Sequence, residues 1–166
     1  MRNLKCVLMA LVVLPTLLFA ACARGHATSP DTQVRQAVQA FYTAFSSPDG
    51  FERAAEFSTD DWNHINPFGG RTNGRAEVLK EVLEVHRTFL KGVTDTVIQM
   101  DVRMASADVA VATVTSDMSA FTGPDGVRRE DNHQIRTFVV VKRGDRWLIM
   151  QDHNTFVTAP PASPRS

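Results

Sequence analysis

Cysteine is almost absent from this chain of 166 residues. The two that occur, Cys6 and Cys22, both lie near the N-terminus. The rest of the sequence therefore has no residue that could form a disulfide, act as a thiolate nucleophile or provide a cysteine ligand for a metal. We expect the folded part of the chain to depend on the packing of its core for stability.

An excess of charge of either sign is also missing. The chain has 18 lysine and arginine residues against 18 aspartate and glutamate residues, and it has no long basic run. Because binding to nucleic acid depends on a positive surface that neutralises phosphates, we predict no nucleic-acid partner.

Three motifs for catalysis or cofactor binding do not occur. The sequence has no Gly-x-Ser-x-Gly elbow for a serine nucleophile and no two histidines four residues apart, as a helical zinc motif requires. It also has no glycine-rich turn between a strand and a helix, which a dinucleotide would need. We therefore expect neither a metal nor a cofactor.

The N-terminus has the pattern of an export signal. Arg2 and Lys5 precede an apolar run from Cys6 to Ala21, which is shorter than the about 20 residues that span a bilayer. We interpret residues 1–22 as a signal peptide. Its end, Leu-Phe-Ala-Ala-Cys at residues 18–22, resembles a bacterial lipobox, although Phe19 stands where an aliphatic residue is usual.

Two processing routes remain open, and they lead to different locations. A lipid anchor at Cys22, which we favour, would give a periplasmic or membrane-tethered lipoprotein. Ordinary cleavage after Ala23 would give an exported protein without an anchor. In both cases residues 23–30 form a short linker, residues 31–157 form one domain, and residues 158–166, rich in proline and serine, form a disordered tail.

Helical spacing predicts three helices in the first half of the domain. The first begins near Asp31 as its cap and ends before Pro48. A short second helix covers residues 51–57, and a third runs from residue 73 to a stop near Gly92. The inner face of the first helix consists of Val34, Val38, Phe41 and Phe45.

Strands dominate the second half. Alternation predicts a short strand at residues 61–67, a longer one at residues 94–104, and three long strands between residues 108 and 157. Because runs of strands after runs of helices are typical of α+β domains, we predict an α+β fold. A curved, mostly antiparallel sheet would form a cone packed on the three helices.

Several short segments in this order match a known family. They are residues 37–45, Asn66-Pro67 followed by Gly69-Gly70, Gly74-Arg75, residues 144–149 and His153-Asn154-Thr155. Together they resemble the nuclear transport factor 2-like superfamily and, within it, the SnoaL-like proteins of the SgcJ/EcaC type. The resemblance covers residues 31–157 and implies a cystatin-like cone with an open pocket. It does not define a reaction, because this fold carries enzymes, ligand binders and assembly domains.

Eight side chains are candidates for the pocket, since a small-molecule site is mostly apolar with a few polar groups that orient the ligand. His64 and His153 are the candidate catalytic bases, because histidine exchanges a proton near neutral pH. The candidate ligand-binding residues are Tyr42, Trp62, Asn66, Asp117, Arg136 and Asn154.

Most of these candidates also have a structural interpretation. His153, expected on one strand face with Trp147, Ile149 and Gln151, could be a hydrogen-bonded histidine at a strand end or a subunit interface. His64 could likewise have no role other than packing beside Trp62.

The other polar candidates have similar alternatives. Asp117 and Arg136 could pair across neighbouring strands as a structural salt bridge. Tyr42 could be an aromatic residue at the edge of the core, with its hydroxyl in water.

Three functional hypotheses follow. The first is an exported pocket protein for a small, largely apolar organic molecule. The second is an isomerase or dehydratase that uses a histidine as general base, with Asn66, Tyr42 or Arg136 stabilising an oxyanion. The third is an assembly domain with a vestigial pocket. Apolar residues at 138–141 and 147–150 further predict a homodimer through the sheet.

Overall fold

The first helix has a sequence-encoded start. The computed structural model describes residues 28–130 and 132–157, and α1 spans Pro30–Phe45. Ser29, rather than the predicted Asp31, caps the helix, because its hydroxyl accepts a hydrogen bond from the backbone N–H of Thr32. Asp31 lies in the first turn and pairs with Arg35 at 2.9 Å. The predicted signal peptide and C-terminal tail lie outside the described residues.

The other two helices are shorter than α1. A 3-10 helix spans Gly50–Glu56, where the sequence predicted a short helix, and α2 spans Arg75–Arg87. Helix α2 ends before the predicted stop; turns lead on to Gly92, whose positive φ of 75° suits glycine. No helix in the described parts of the chain has both the length and the apolarity needed to cross a membrane.

Eight strands complete the part of the chain that the structure describes. They are β1 Ser58–Ile65, β2 Arg71–Asn73, β3 Asp95–Met104, β4 Val109–Met118, β5 Phe121–Thr122, β6 Arg128–Arg129, β7 Asn132–Arg143 and β8 Arg146–Phe156. Six of them make one sheet in the order β2-β1-β8-β7-β4-β3, and β5 pairs with β6 in a separate hairpin. Only the pairing of β1 with β8 is parallel within this sheet.

The helices cover the inner face of this curved sheet, and the core lies between them. Phe41 on α1 is at its centre, with the ring of Phe138 on β7 5.3 Å away at 69°. The other rings within 6.5 Å of Phe41 are Tyr42, Phe45, Phe51, Phe57 and Trp62. Edge-to-face packing of this kind stabilises a core beyond simple area burial. The predicted α+β cone is confirmed.

A β-bulge in β8 determines which of its side chains face the core. Ile149 pairs with Val140, but Val139 pairs with Gln151, so that Met150 is an extra residue. Before the bulge the side chain of Ile149 points into the core, whereas after it Asp152 and Asn154 are the buried residues. The sequence-based expectation that His153 continues the inner face of Ile149 is therefore wrong, since it assumed regular alternation.

Candidate functional site

A cavity opens between the two α-helices and the inner face of the sheet. Its volume is about 110 Å³. Most of its wall is apolar, with Phe45 from α1, Val82 and Val85 from α2, and Phe156 from β8 among the lining residues. The polar side chains in the wall are His64, Asn66, Glu81, His86, Arg136 and Asn154. A mostly apolar cleft with a few converging polar groups is the usual form of a small-molecule site.

The buried carboxylate of Asp152 organises the polar side of this cavity. Its Oδ1 accepts a hydrogen bond from Trp62 Nε1 at 2.8 Å, and Oδ2 lies 2.9 Å from His64 Nδ1. Arg136 Nη1 donates to the same Oδ2 at 3.3 Å. Asp152 is completely buried, so these three partners replace the water that a charged carboxylate would otherwise need.

The partners of Asp152 also decide its protonation state. Burial by itself would raise the pKa of the carboxyl group, but the charge and hydrogen bond of His64, with Arg136 and Trp62, outweigh burial. They hold the pKa of Asp152 below its ordinary value of 3.8. Asp152 is therefore an ionised group at neutral pH inside the protein.

His64 connects this carboxylate to the cavity. It lies on β1, directly opposite Asp152 in the parallel register, and it is 8% exposed. Since Asp152 is bonded to Nδ1, this contact fixes the orientation of the ring and leaves Nε2 on the opposite side. A carboxylate behind a histidine that lines a cavity is an arrangement suited to proton transfer.

Arg136 supplies the positive charge of the site. It extends from β7 with its guanidinium carbon 4.7 Å from the centre of the Phe41 ring, and its side chain is 3% exposed. The aromatic face and the Asp152 carboxylate stabilise this buried cation from two sides.

Glu81 and Asn66 form the rim of the cavity. Asn66 Oδ1 accepts hydrogen bonds from the backbone N–H groups of Phe68 and Gly70, and its Nδ2 donates to Glu81 at 3.0 Å. Thr72 donates to the second oxygen of Glu81. Partial burial alone would raise the pKa of Glu81, but Thr72 and Asn66 hold it below the ordinary value. Asn66 therefore shapes the loop and orients Glu81.

Four of the predicted site residues line the cavity, namely His64, Asn66, Arg136 and Asn154. Trp62 lies behind it and holds Asp152. Tyr42 is buried together with its hydroxyl group, between Phe41 and Phe138, rather than in water as expected. This burial raises the pKa of the Tyr42 hydroxyl to about 12.

Two predicted positions are wrong. His153 is exposed on the outer face of the sheet, because the bulge at Met150 exchanges the two faces of β8. Asp117 lies half-buried on the outer face of β4 and pairs with His133, not with Arg136.

Asp152 and Glu81 were not predicted as site residues, although a pattern in the sequence pointed to each of them. Four consecutive apolar residues at 147–150 interrupt the alternation of β8 and mark the bulge that turns Asp152 inward. Glu81 stands three residues after Val78, which places this acidic residue in the apolar stripe of α2. Within the described residues, no three metal-ligating side chains are grouped to hold an ion.

The fold and site define a cone-shaped α+β domain of the nuclear transport factor 2-like, or cystatin-like, class. The SnoaL-like domain family matches residues 34–159, and the chain belongs to this family. No curated protein matches the chain.

Several solved structures share the fold. An uncharacterised protein with a cystatin-like fold from Caulobacter vibrioides is 26% identical, with a TM-score of 0.72 over 76% of this chain and 88% of that one. A ketosteroid isomerase-like protein from Erwinia carotovora atroseptica is 20% identical, with a TM-score of 0.63 over 76% and 95% of the two chains. A domain of unknown function from Nostoc punctiforme is 22% identical, with a TM-score of 0.60 over 80% and 81%.

Proposed function

We propose that the SnoaL-like domain binds a small, largely apolar organic molecule and that His64, held by Asp152, transfers a proton on it. The observation that carries this proposal is the contact of 2.9 Å between His64 Nδ1 and Asp152 Oδ2, at the wall of an apolar cavity. The reaction class would be that of an isomerase or a dehydratase of the kind that begins by removing a proton from the carbon beside a carbonyl group.

The proposed step uses groups that are already in place. Nε2 of His64 takes a proton from the carbon beside a carbonyl group. The electron pair of that C–H bond forms a C=C bond, and the π pair of the carbonyl group moves to its oxygen. Asp152 stabilises the imidazolium that forms. Arg136 lines the same cavity and would stabilise the negative oxygen. The imidazolium then either returns the proton to a different carbon, which completes an isomerisation, or gives it to a hydroxyl group on the next carbon, which leaves as water and completes a dehydration.

Hydrogen–deuterium exchange of a simple ketone tests this step without knowledge of the natural substrate. Cyclohexanone in D₂O, followed by NMR, should exchange the protons beside its carbonyl group faster with the protein than without it. His64→Gln should reduce the added rate by about tenfold or more, since a positioned general base contributes at least that much.

His153→Gln is the matched control for this assay. It changes the same residue type on the outer face of the sheet and should leave the exchange rate as in the wild type. If His64→Gln and wild type exchange at equal rates above background, His64 is not the base. If the wild type binds cyclohexanone without accelerating exchange, the domain is a ligand binder and the catalytic part of the proposal fails.

The outer face of the sheet supports a second proposal, that of a homodimer. Ile135 is 43% exposed there and is flanked in register by Thr115 and Thr155, which leaves a strip without charge. Burying such a strip against a second copy of the chain would remove exposed apolar surface. Sedimentation at several concentrations should give a dimer that Ile135→Lys converts to a monomer; a wild-type monomer throughout would contradict the proposal.

Export with a lipid anchor at Cys22 is also a proposal. In bacterial cells, the wild type should incorporate labelled fatty acid and Cys22→Ser should not. Unlabelled protein in the periplasm or medium would instead support cleavage after Ala23.

A further inference from the structure

Arg136 and Asn154 place a hydrogen-bond donor and a hydrogen-bond acceptor side by side in the wall of the cavity. They are directly opposite each other in the β7–β8 register, both line the cavity, and they are 3% and 5% exposed. Arg136 Nε and Asn154 Oδ1 are buried, and no group in the described residues forms a hydrogen bond with either atom. Because buried polar atoms in native proteins are nearly always paired, this pair indicates a partner that the chain itself does not provide.

Buried polar side chains continue along β7 beyond this pair. Gln134 lies two residues before Arg136 on the same face, and Ser116 is its partner in register on β4. Both are completely buried, and within the described chain the side-chain oxygen and nitrogen of Gln134 also have no hydrogen-bond partner. Neither residue lines the cavity, so on β7 and β8 the polar groups without a partner that a bound molecule would meet are those of Arg136 and Asn154.

The charges around the cavity select against an anion. Arg136 contributes one positive charge, but the carboxylate of Asp152 pairs with it at 3.3 Å. Glu81 adds a second carboxylate to the wall. When His64 is neutral, as its role as a base requires, a molecule with its own carboxylate would meet a net negative site, whereas a neutral molecule with a polar edge would meet no such repulsion.

The size of the cavity limits the ligand to about one ring. A dry apolar cavity of roughly 150 Å³ accommodates benzene, and the cavity here has a volume of about 110 Å³ and an open mouth. A single six-membered ring is therefore the largest group that could enter, and part of the ligand would extend through the mouth.

We propose, on the basis of the ligand-binding function above, that the pocket selects a neutral ring compound with a hydroxyl group beside a carbonyl group. The carbonyl oxygen would accept from Arg136, and the hydroxyl would donate to Asn154 Oδ1. This edge satisfies a donor and an adjacent acceptor at once, and it brings an acidic C–H bond into the cavity that His64 lines.

Four compounds with the same six-membered carbon ring test the proposal by NMR titration of the purified protein. They are 2-hydroxycyclohexanone, which has both groups, cyclohexanone, cyclohexanol and cyclohexanecarboxylate. The hydroxyketone should bind about tenfold more tightly than cyclohexanone or cyclohexanol, which corresponds to about 1.4 kcal/mol. Cyclohexanecarboxylate should bind most weakly.

Asn154→Leu is the variant that isolates the acceptor. Leucine has nearly the shape of asparagine, and the described residues give the Asn154 oxygen no hydrogen bond to lose. The variant should bind the hydroxyketone no more tightly than cyclohexanone, and its affinity for cyclohexanone should not change. Val85→Trp, which fills the cavity, should abolish binding of all four compounds and thereby exclude binding elsewhere on the surface.

The outcomes separate this inference from the function on which it depends. If the wild type binds cyclohexanone and the hydroxyketone equally well, the ligand-binding proposal is supported, but the proposed recognition of the hydroxyketone by Arg136 and Asn154 is wrong. Tightest binding of the carboxylate would likewise overturn the inference. If the wild type binds none of the four compounds, the ligand-binding proposal fails and this inference fails with it.

Discussion

Replacing Asp152 by asparagine should destabilise the domain more than any other single change of charge in the described structure. The substitution keeps the shape of the side chain but removes the charge that faces Arg136, His64 and Trp62. Breaking a buried ion pair by removing one partner costs about 3–5 kcal/mol, because the other charge remains buried without compensation. For a domain of this size the loss corresponds to a fall in Tm of roughly 10–20 °C.

Chemical denaturation of wild type and Asp152→Asn at neutral pH measures this loss directly. Asp117→Asn is the control, because Asp117 pairs with His133 on the outer face and should cost at most about 1 kcal/mol. The double variant Arg136→Met, Asp152→Asn should recover part of the stability, since it leaves no charge unpaired. If Asp152→Asn changes the free energy of unfolding by no more than Asp117→Asn does, Asp152 is not the ionised centre of the site.

Three further predictions use other features of the core. Trp62→Phe should cost about 1.5–3 kcal/mol in urea unfolding through its lost hydrogen bond to Asp152 alone, and a loss as small as for a surface substitution would show that this bond is not formed. Burial raises the pKa of Asp95 above 3.8, so the folded state holds this proton more tightly than the unfolded state and loses stability as the pH rises above that value. The free energy of unfolding of Asp95→Asn, measured relative to that of the wild type, should therefore be higher at neutral pH than at pH 4. An equal difference at both pH values would contradict this sign. Gly50→Ala should lower the Tm, because the added Cβ would overlap the backbone of Ala44, whereas a Tm equal to that of the wild type would show that the backbone can move away.

The sequence was sufficient for the fold because the helices and most strands follow regular patterns. Phe41 and Phe45 are where a four-residue spacing places them on α1, and both face the core. Trp62 and His64 share the inner face of β1, as period two requires. Local periodicity therefore predicted these elements and part of the site correctly.

The candidate site was only partly predictable, because its centre depends on contacts between distant segments. His64 and Asp152 are 88 residues apart and meet only through the parallel pairing of β1 with β8. The bulge at Met150 then reverses the faces of β8, so that a strictly alternating interpretation selects His153. A period-two rule contains no information about where a strand gains an extra residue.

The extra residue at Met150 also affects how relatives should be compared. Five positions separate Trp147 from Asp152, although both side chains lie on the buried face, and two residues on the same face of a regular strand are separated by an even number. A related chain without the extra residue would keep the same site with a spacing of four, and an ungapped alignment would then place the wrong residue opposite the histidine of β1. Searches for this pair in other chains should therefore accept both spacings.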